Sequence, residues 1–164
     1  EVAQAFLDFL RDRIDLPGRY ADPDLRVTST PARIDAAAQR RFAKMLAAIR
    51  VDRAGVEEFI GSFLSEPKPD VFFTRPAPAL APAAFARAIA VHGLVLDRRT
   101  QLLYDARRFY VNGMTLVAPR GARRDLAARA DGRALPARHC AKLGAATLGL
   151  LHHWYRDGYL EPAA

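Results

Sequence analysis

The stretch SEPKPDVFFTRPAPALAP, residues 65–82, holds five of the eleven prolines in the chain. A proline has no amide donor and keeps the residue before it out of the helical region, so no helix or central strand runs through such a segment. It predicts a stiff, extended linker that divides the chain. Val71, Phe72 and Phe73 are too apolar for a free tether, so the linker is expected to lie against one of the halves. Three parts follow: a helical segment at 1–64, the linker at 65–82, and a second unit at 83–164.

The first part reads as helices. In EVAQAFLDFLRDRI, Val2, Phe6, Phe9 and Arg13 recur at helical spacing, with Ala5 and Leu10 beside them, until Pro17-Gly18 breaks the pattern. Asp22-Pro23 marks a turn, and Thr30 before Pro31 reads as an N-cap with proline in the first turn. The second helix carries Phe42, Met45, Leu46 and Ile49. Asp52 can cap a third, with Val56, Phe59, Ile60, Phe63 and Leu64 on its apolar side. Three short helices cover little surface, so the stripe Phe42, Met45, Leu46, Ile49 and that of Phe59 and Phe63 are candidates for a dimer interface.

The second part changes character. AAFARAIAVHG (83–93) fits a short helix stopped by Gly93. Strand-like runs follow at 94–96, 101–105 and 108–117, and Asn112-Gly113 between apolar flanks signals a β-hairpin. A basic helix is expected at about 120–130, a break around Asp131-Gly132 and Pro136, then a final helix from about 138 to 157 capped by Gly158. Tyr159-Leu160 leave as a short strand. The fold class is α+β, mostly α: a helical dimerisation segment, then a winged-helix-like domain with a small antiparallel sheet.

Composition narrows the function classes. Of 164 residues, 51% are hydrophobic and 26% charged, the balance of a globular protein. No apolar run is long enough to cross a bilayer, so no membrane role is expected. The single cysteine, Cys140, excludes an internal disulfide and a thiolate metal cluster, and a cytoplasmic setting fits. The chain begins at Glu1 with a helix pattern, which reads as a piece of a longer protein. The net charge of +7 is concentrated: residues 94–144 carry 11 basic and 4 acidic groups.

Four histidines are the obvious candidates for chemistry, and none makes a site. His152 and His153 in LLHHWYRDGYL are adjacent, and adjacent residues diverge on a helix, whereas helical metal pairs use i and i+4. His152 falls on the border of the apolar stripe and His153 on the polar side. His92 reads as a boundary residue. His139 beside Cys140 lacks an orienting third group, and sequence neighbours rarely align as nucleophile and base. There is no GxSxG, HExxH, HxD or phosphate-binding glycine loop. No catalytic, cofactor-binding or metal-binding residue is assigned.

What remains is the basic run PRGARRDLAARADGRALPARHCAK (119–142). Arg120, Arg123, Arg124 and Arg129 are its candidate partner-binding face. One reading is a self-contained basic winged-helix module that grips nucleic acid phosphates. The other is a solvated face or a dock for an acidic partner. The second is favoured, because no aromatic residues are interleaved for base stacking.

FLDFLRDRIDLPGRYADPDL, EEFIGSFLSEPKP, the proline-rich joint, RFYVNGMTL and LLHHWYRDGYL stand in the order and spacing of bacterial ribosomal oxygenases. The chain resembles the region that follows the catalytic barrel in these cupin or JmjC-type ribosomal protein arginine hydroxylases. The resemblance implies a helical dimerisation region and a winged-helix-like domain, a homodimer, and a ribosomal protein substrate for the parent protein. It also implies iron(II) and 2-oxoglutarate as cofactors of the parent, with none in this chain. Two departures stand out. The family's Asn-Gly turn is usually followed by an acid where this chain has Met114, and the basic run is stronger than is typical.

Overall fold

The structure is a computed structural model that describes residues 1–13, 32–47 and 49–164. The expected breaks and cap at Pro17-Gly18, Asp22-Pro23 and Thr30-Pro31 lie outside the described residues. The chain divides into two compact units, Glu1–Phe59 and Ile60–Ala164.

The first unit contains α1 (Val2–Arg13), α2 (Ala36–Ala47) and the start of α3 (Arg53–Ser65). Phe6 and Phe9 of α1 hold the ring of Phe59 at centroid distances of 4.9 and 5.4 Å. Arg13 pairs with Glu58 and lies over Phe9. Asp35 begins α2 by accepting from the Ala38 amide at 2.6 Å. As expected, Asp52 accepts from the Gly55 amide at 2.7 Å and caps α3. α2 ends before Ile49, so Ile49 does not continue the stripe of Phe42, Met45 and Leu46. Along α3, Phe59 is buried whereas Ile60 and Leu64 are exposed, so the apolar side is narrower than the five expected residues.

The second unit is built on α4 (Pro82–His92), α5 (Arg123–Gly132), α6 (Ala137–Cys140) and α7 (Ala145–Arg156). Its strands are β1 (Leu94–Leu96), β2 (Leu102–Tyr104), β3 (Phe109–Val111), β4 (Met114–Leu116), β5 (Ala134–Leu135) and β6 (Leu160–Pro162). They form two antiparallel sheets, β5-β1-β6 and β2-β3-β4. Gly93 stops α4 with φ +83°, its N–H donating a hydrogen bond to the Ile89 carbonyl. Asn112 and Gly113 both have positive φ and join β3 to β4, as a two-residue hairpin requires. The core gathers Phe85 and Ile89 of α4, Leu94 of β1, Leu126 of α5, and Leu151 and Trp154 of α7.

The structure departs from two expectations. The final helix is not continuous from 138 to 157: Gly144 leaves the helical region at φ −71°, ψ 157° and starts α7 afresh, so the four-residue α6 and α7 are separate helices. The break after α5 is not plain loop, because Ala134 and Leu135 pair with Val95 and Leu94. The proline-rich segment does lie against a half, the second. Phe73 packs on Tyr159 with centroids 4.7 Å apart, and Arg99 donates to the Phe72 carbonyl at 2.6 Å. The Leu80 amide donates to the Tyr155 hydroxyl at 3.2 Å, and Nε2 of His152 lies 2.8 Å from the Leu80 carbonyl oxygen.

Candidate functional site

The four arginines of the candidate face do not share a face. Arg120 and Arg124 are exposed. Arg123 folds back, donating to the Asp105 carbonyl and lying 5.3 Å over the ring of Phe109. Arg129 is fully buried, and its Nε, Nη1 and Nη2 have no hydrogen-bond partner among the described residues. Burial pushes its guanidinium down to about 10, against the pull of nearby Cys140 and Asp125. The sequence held the signal: Ala122, Leu126 and Arg129 recur at spacings of four and seven, the core stripe of α5. Arg129 occupies a core position with a charged side chain.

Arg124 borders a groove of about 350 Å³ with Asp125 and Ala128 of α5, Ala134 and Leu135 of β5, Pro136, and His139 of α6. Its lining includes strand residues that the sequence alone does not reveal. The strand β5 is the edge of its sheet. Leu96 of β1 donates to the Arg133 carbonyl at 2.9 Å, so the registers Leu96–Arg133 and Leu94–Leu135 are hydrogen-bonded pairs. Val95–Ala134, between them, is a pair of the other kind. The N–H and C=O of Ala134 therefore point away from β1, toward the free edge.

The histidines are dispersed. His92 is exposed at the end of α4, and His139 is exposed on the groove. His152 is a half-buried boundary residue, tied to Leu80 and packed 5.4 Å from the ring of Phe85. His153 is exposed and lies 3.4 Å from Asp157, one helical turn on. That i to i+4 relation is legible in the sequence. Among the described residues no three His, Cys, Asp or Glu side chains converge as a metal site would need. Cys140 is buried, which raises its thiol pKa, and its sulfur lies 3.5 Å from the Leu135 carbonyl.

A second titratable cluster sits under the hairpin. The Tyr110 hydroxyl donates to Asp105 at 2.5 Å, and Asp105 also accepts from the amides of Arg107 and Arg108. Burial and the Asp105 carboxylate push Tyr110 up to about 12. Burial would raise Asp105, but those donors outweigh it and its pKa is lowered. This cluster holds a turn and faces no open cavity among those described.

The candidate interface residues also separate. Phe42, Met45 and Leu46 remain 46%, 45% and 64% exposed on α2. Phe59 is buried by Phe6 and Phe9 of its own unit and is not surface. Phe63 and Ile49 are half-buried.

Residues 44–161 match the family model described as ROXA-like winged helix. No curated protein sequence matches the chain significantly. Among solved structures, the Escherichia coli ribosomal oxygenase YcfD in complex with cobalt and succinic acid superposes with a TM-score of 0.71 at 22% identity. That match covers 98% of this chain and 45% of YcfD. An X-ray structure of E. coli YcfD gives 0.72 at 21% identity, over 97% of this chain and 43% of the other. The complex with cobalt and 2-oxoglutarate gives 0.70 at 22%, over 97% and 44%. At these identities the likeness is one of fold, and the chain spans less than half the length of these relatives.

Proposed function

This chain belongs to the ROXA-like winged-helix family, and on that footing we propose that it is the non-catalytic C-terminal portion of a ribosomal oxygenase. Its roles are self-association as a homodimer and shaping access for a ribosomal protein substrate. The observation that carries this reading is the superposition of nearly the whole chain on less than half of an E. coli ribosomal oxygenase. No helix of the described residues is long and apolar enough to cross a membrane, in keeping with a cytoplasmic parent enzyme.

Iron(II) and 2-oxoglutarate belong to the parent's chemistry, and the donors in this chain do not fit them. An open iron site of this class needs two histidines and a carboxylate on one face of the metal. Here His152 is held by Leu80, His153 by Asp157, and His92 and His139 stand on separate elements. We place the metal and the cosubstrate in a part of the parent outside these residues and derive no catalytic step here. The test is direct. The 164-residue chain, given iron(II), 2-oxoglutarate and a ribosomal-protein peptide, should consume no more 2-oxoglutarate than buffer does. Turnover that persists through purification to homogeneity would refute the reading.

The nucleic-acid reading draws support only from scattered cations. If α6 and α7 act as a helix-turn-helix, α7 is the second helix, the one that enters the groove in that motif. The exposed positions of α7 are Ala145, Ala146, Gly149 and His153, with Arg156 at its end. Such a face offers little to phosphates, so nucleic acid is expected to bind weakly and without sequence preference.

A further inference from the structure

We infer that the groove beside β5 docks an extended acidic peptide segment, which pairs with the outward N–H and C=O of Ala134 while a carboxylate side chain meets Arg124. The backbone supplies the first half of the argument. Ala134 is exposed, sits on an edge strand and aims both its polar groups off the sheet. An unpaired strand edge is a template for another strand, and short peptides use such edges. Pro136, with no amide, follows at once and limits the pairing to this one residue. The groove thus fixes where a strand can add.

Charge supplies the second half. Arg124 and His139 flank the groove, and Arg138 and Lys142, one and three residues from His139 in the chain, are exposed. Arg120, Arg124, Arg138 and Lys142 make no ion pair among the described residues. One carboxylate, Asp125, lies in the wall, within electrostatic reach of the buried Arg129. Around the groove the exposed chain carries more cations than acids, while Ala128, Leu135 and Pro136 give an apolar floor. A continuous phosphate backbone would have to pass Asp125 and would find no Phe, Tyr or Trp ring in the lining, only the His139 imidazole, to stack a base. An acidic peptide with alternating apolar side chains fits both the floor and the rim, because successive side chains of a strand point to opposite sides.

The experiment uses the 164-residue chain and a fluorescein-labelled octapeptide of alternating Glu and Val, followed by anisotropy at physiological ionic strength. Controls are the Lys/Val analogue, an RNA octanucleotide, and two versions of the peptide N-methylated on one or the other alternate set of amides. The Glu/Val peptide should bind and the Lys/Val peptide should not. Arg124→Glu should weaken binding about tenfold, and Asp125→Asn should tighten it a few-fold. One N-methyl set should cost about tenfold and the other little, because only one set of amides faces the edge. Equal affinity for the Lys/Val peptide, equal effects of the two N-methyl sets, or tighter binding of the RNA at the same groove would overturn the assignment. The N-methyl arm leaves the protein unaltered, so it reads the edge even if a variant folds poorly.

Discussion

Gly61 of α3 lies flat against the ring of Tyr110 in β3, so close that a methyl group at position 61 would overlap the ring. The absence of a side chain at one position thus sets how residues 60–65, the part of α3 within the second unit, meet the sheet β2-β3-β4. Ser65, one turn further on, accepts from the Gly113 amide at 3.1 Å and ties the same helix to the hairpin turn. Gly61→Ala should therefore cost about 1–3 kcal/mol through overpacking, despite its better helix propensity. Urea unfolding followed by circular dichroism measures this. A neutral or stabilising outcome would show that the ring moves aside freely.

Tyr110 also gives the stability a dependence on alkaline pH. Its folded-state pKa, raised to about 12, stands above the unfolded value near 10. The stabilisation is fully present below pH about 10 and is lost as pH rises toward about 12, because the unfolded chain releases that proton first. The loss is on the order of 1–2 kcal/mol once solvent screening is allowed for. Tyr110→Phe should flatten the curve between those limits, and an absorbance titration should show one tyrosinate forming late. A wild-type curve already as flat as that of the variant would remove the assigned role of burial and Asp105.

Replacing Arg129 by Met should stabilise the second unit, by about 1 kcal/mol or more. Met keeps much of the volume, and among the described residues the buried guanidinium has no hydrogen-bond partner, only the electrostatic pull of Cys140 and Asp125. Arg129→Ala should destabilise instead, because it adds a cavity. The two midpoints in urea, compared with the parent chain, decide. If Arg129→Met unfolds the chain, the guanidinium is engaged by something outside the described residues.

Much of this fold is legible in the sequence where a residue has one physical option. Asn112-Gly113 forces a hairpin because both turn positions need positive φ, and Gly93 stops a helix for the same reason. Asp52 caps because its carboxylate reaches the Gly55 amide. What escaped depends on the partner across space. A lone Gly144 in an alanine-rich run does not reveal that the chain turns a corner there. The two residues of β5 become a strand only because β1 lies beside them. Charge alone groups the four arginines into one face, whereas the four-and-seven spacing from Ala122 sends Arg129 inward. The groove at the β5 edge draws on three elements at once, and no local pattern announces it.

Nucleic-acid binding, if measured, should divide the arginines as the structure does. Arg120→Ala and Arg124→Ala should each lower the salt slope by no more than about one unit. Arg123→Ala should instead lower stability, because its guanidinium serves Asp105 and Phe109. Dissociation constants of roughly 10⁻⁴–10⁻⁶ M at physiological salt are expected. A nanomolar, sequence-selective complex would move the winged-helix binding reading to first place.

Self-association, the proposed role of the first unit, rests on α2. The exposed Phe42, Met45 and Leu46 are a compact apolar stripe. Light scattering should give the mass of two chains, and Phe42→Glu with Leu46→Glu should give the mass of one with the helical signal retained. A parent chain that stays monomeric at high micromolar concentration would contradict the role, since the stripe is already present in it.

The strapping of residues 65–82 has a mechanical consequence. Eighteen loose residues would act as an entropic spring, with a root-mean-square span of about 5–6 Å times the square root of their number. This segment is gripped by Arg99, Tyr159, Tyr155 and His152. Near its middle, the Thr74 carbonyl sits where a side chain on Gly158 would have to go. A pull on its ends is resisted by packed rings and hydrogen bonds, not by chain entropy. Extension should appear as a discrete force step, with no soft region before it.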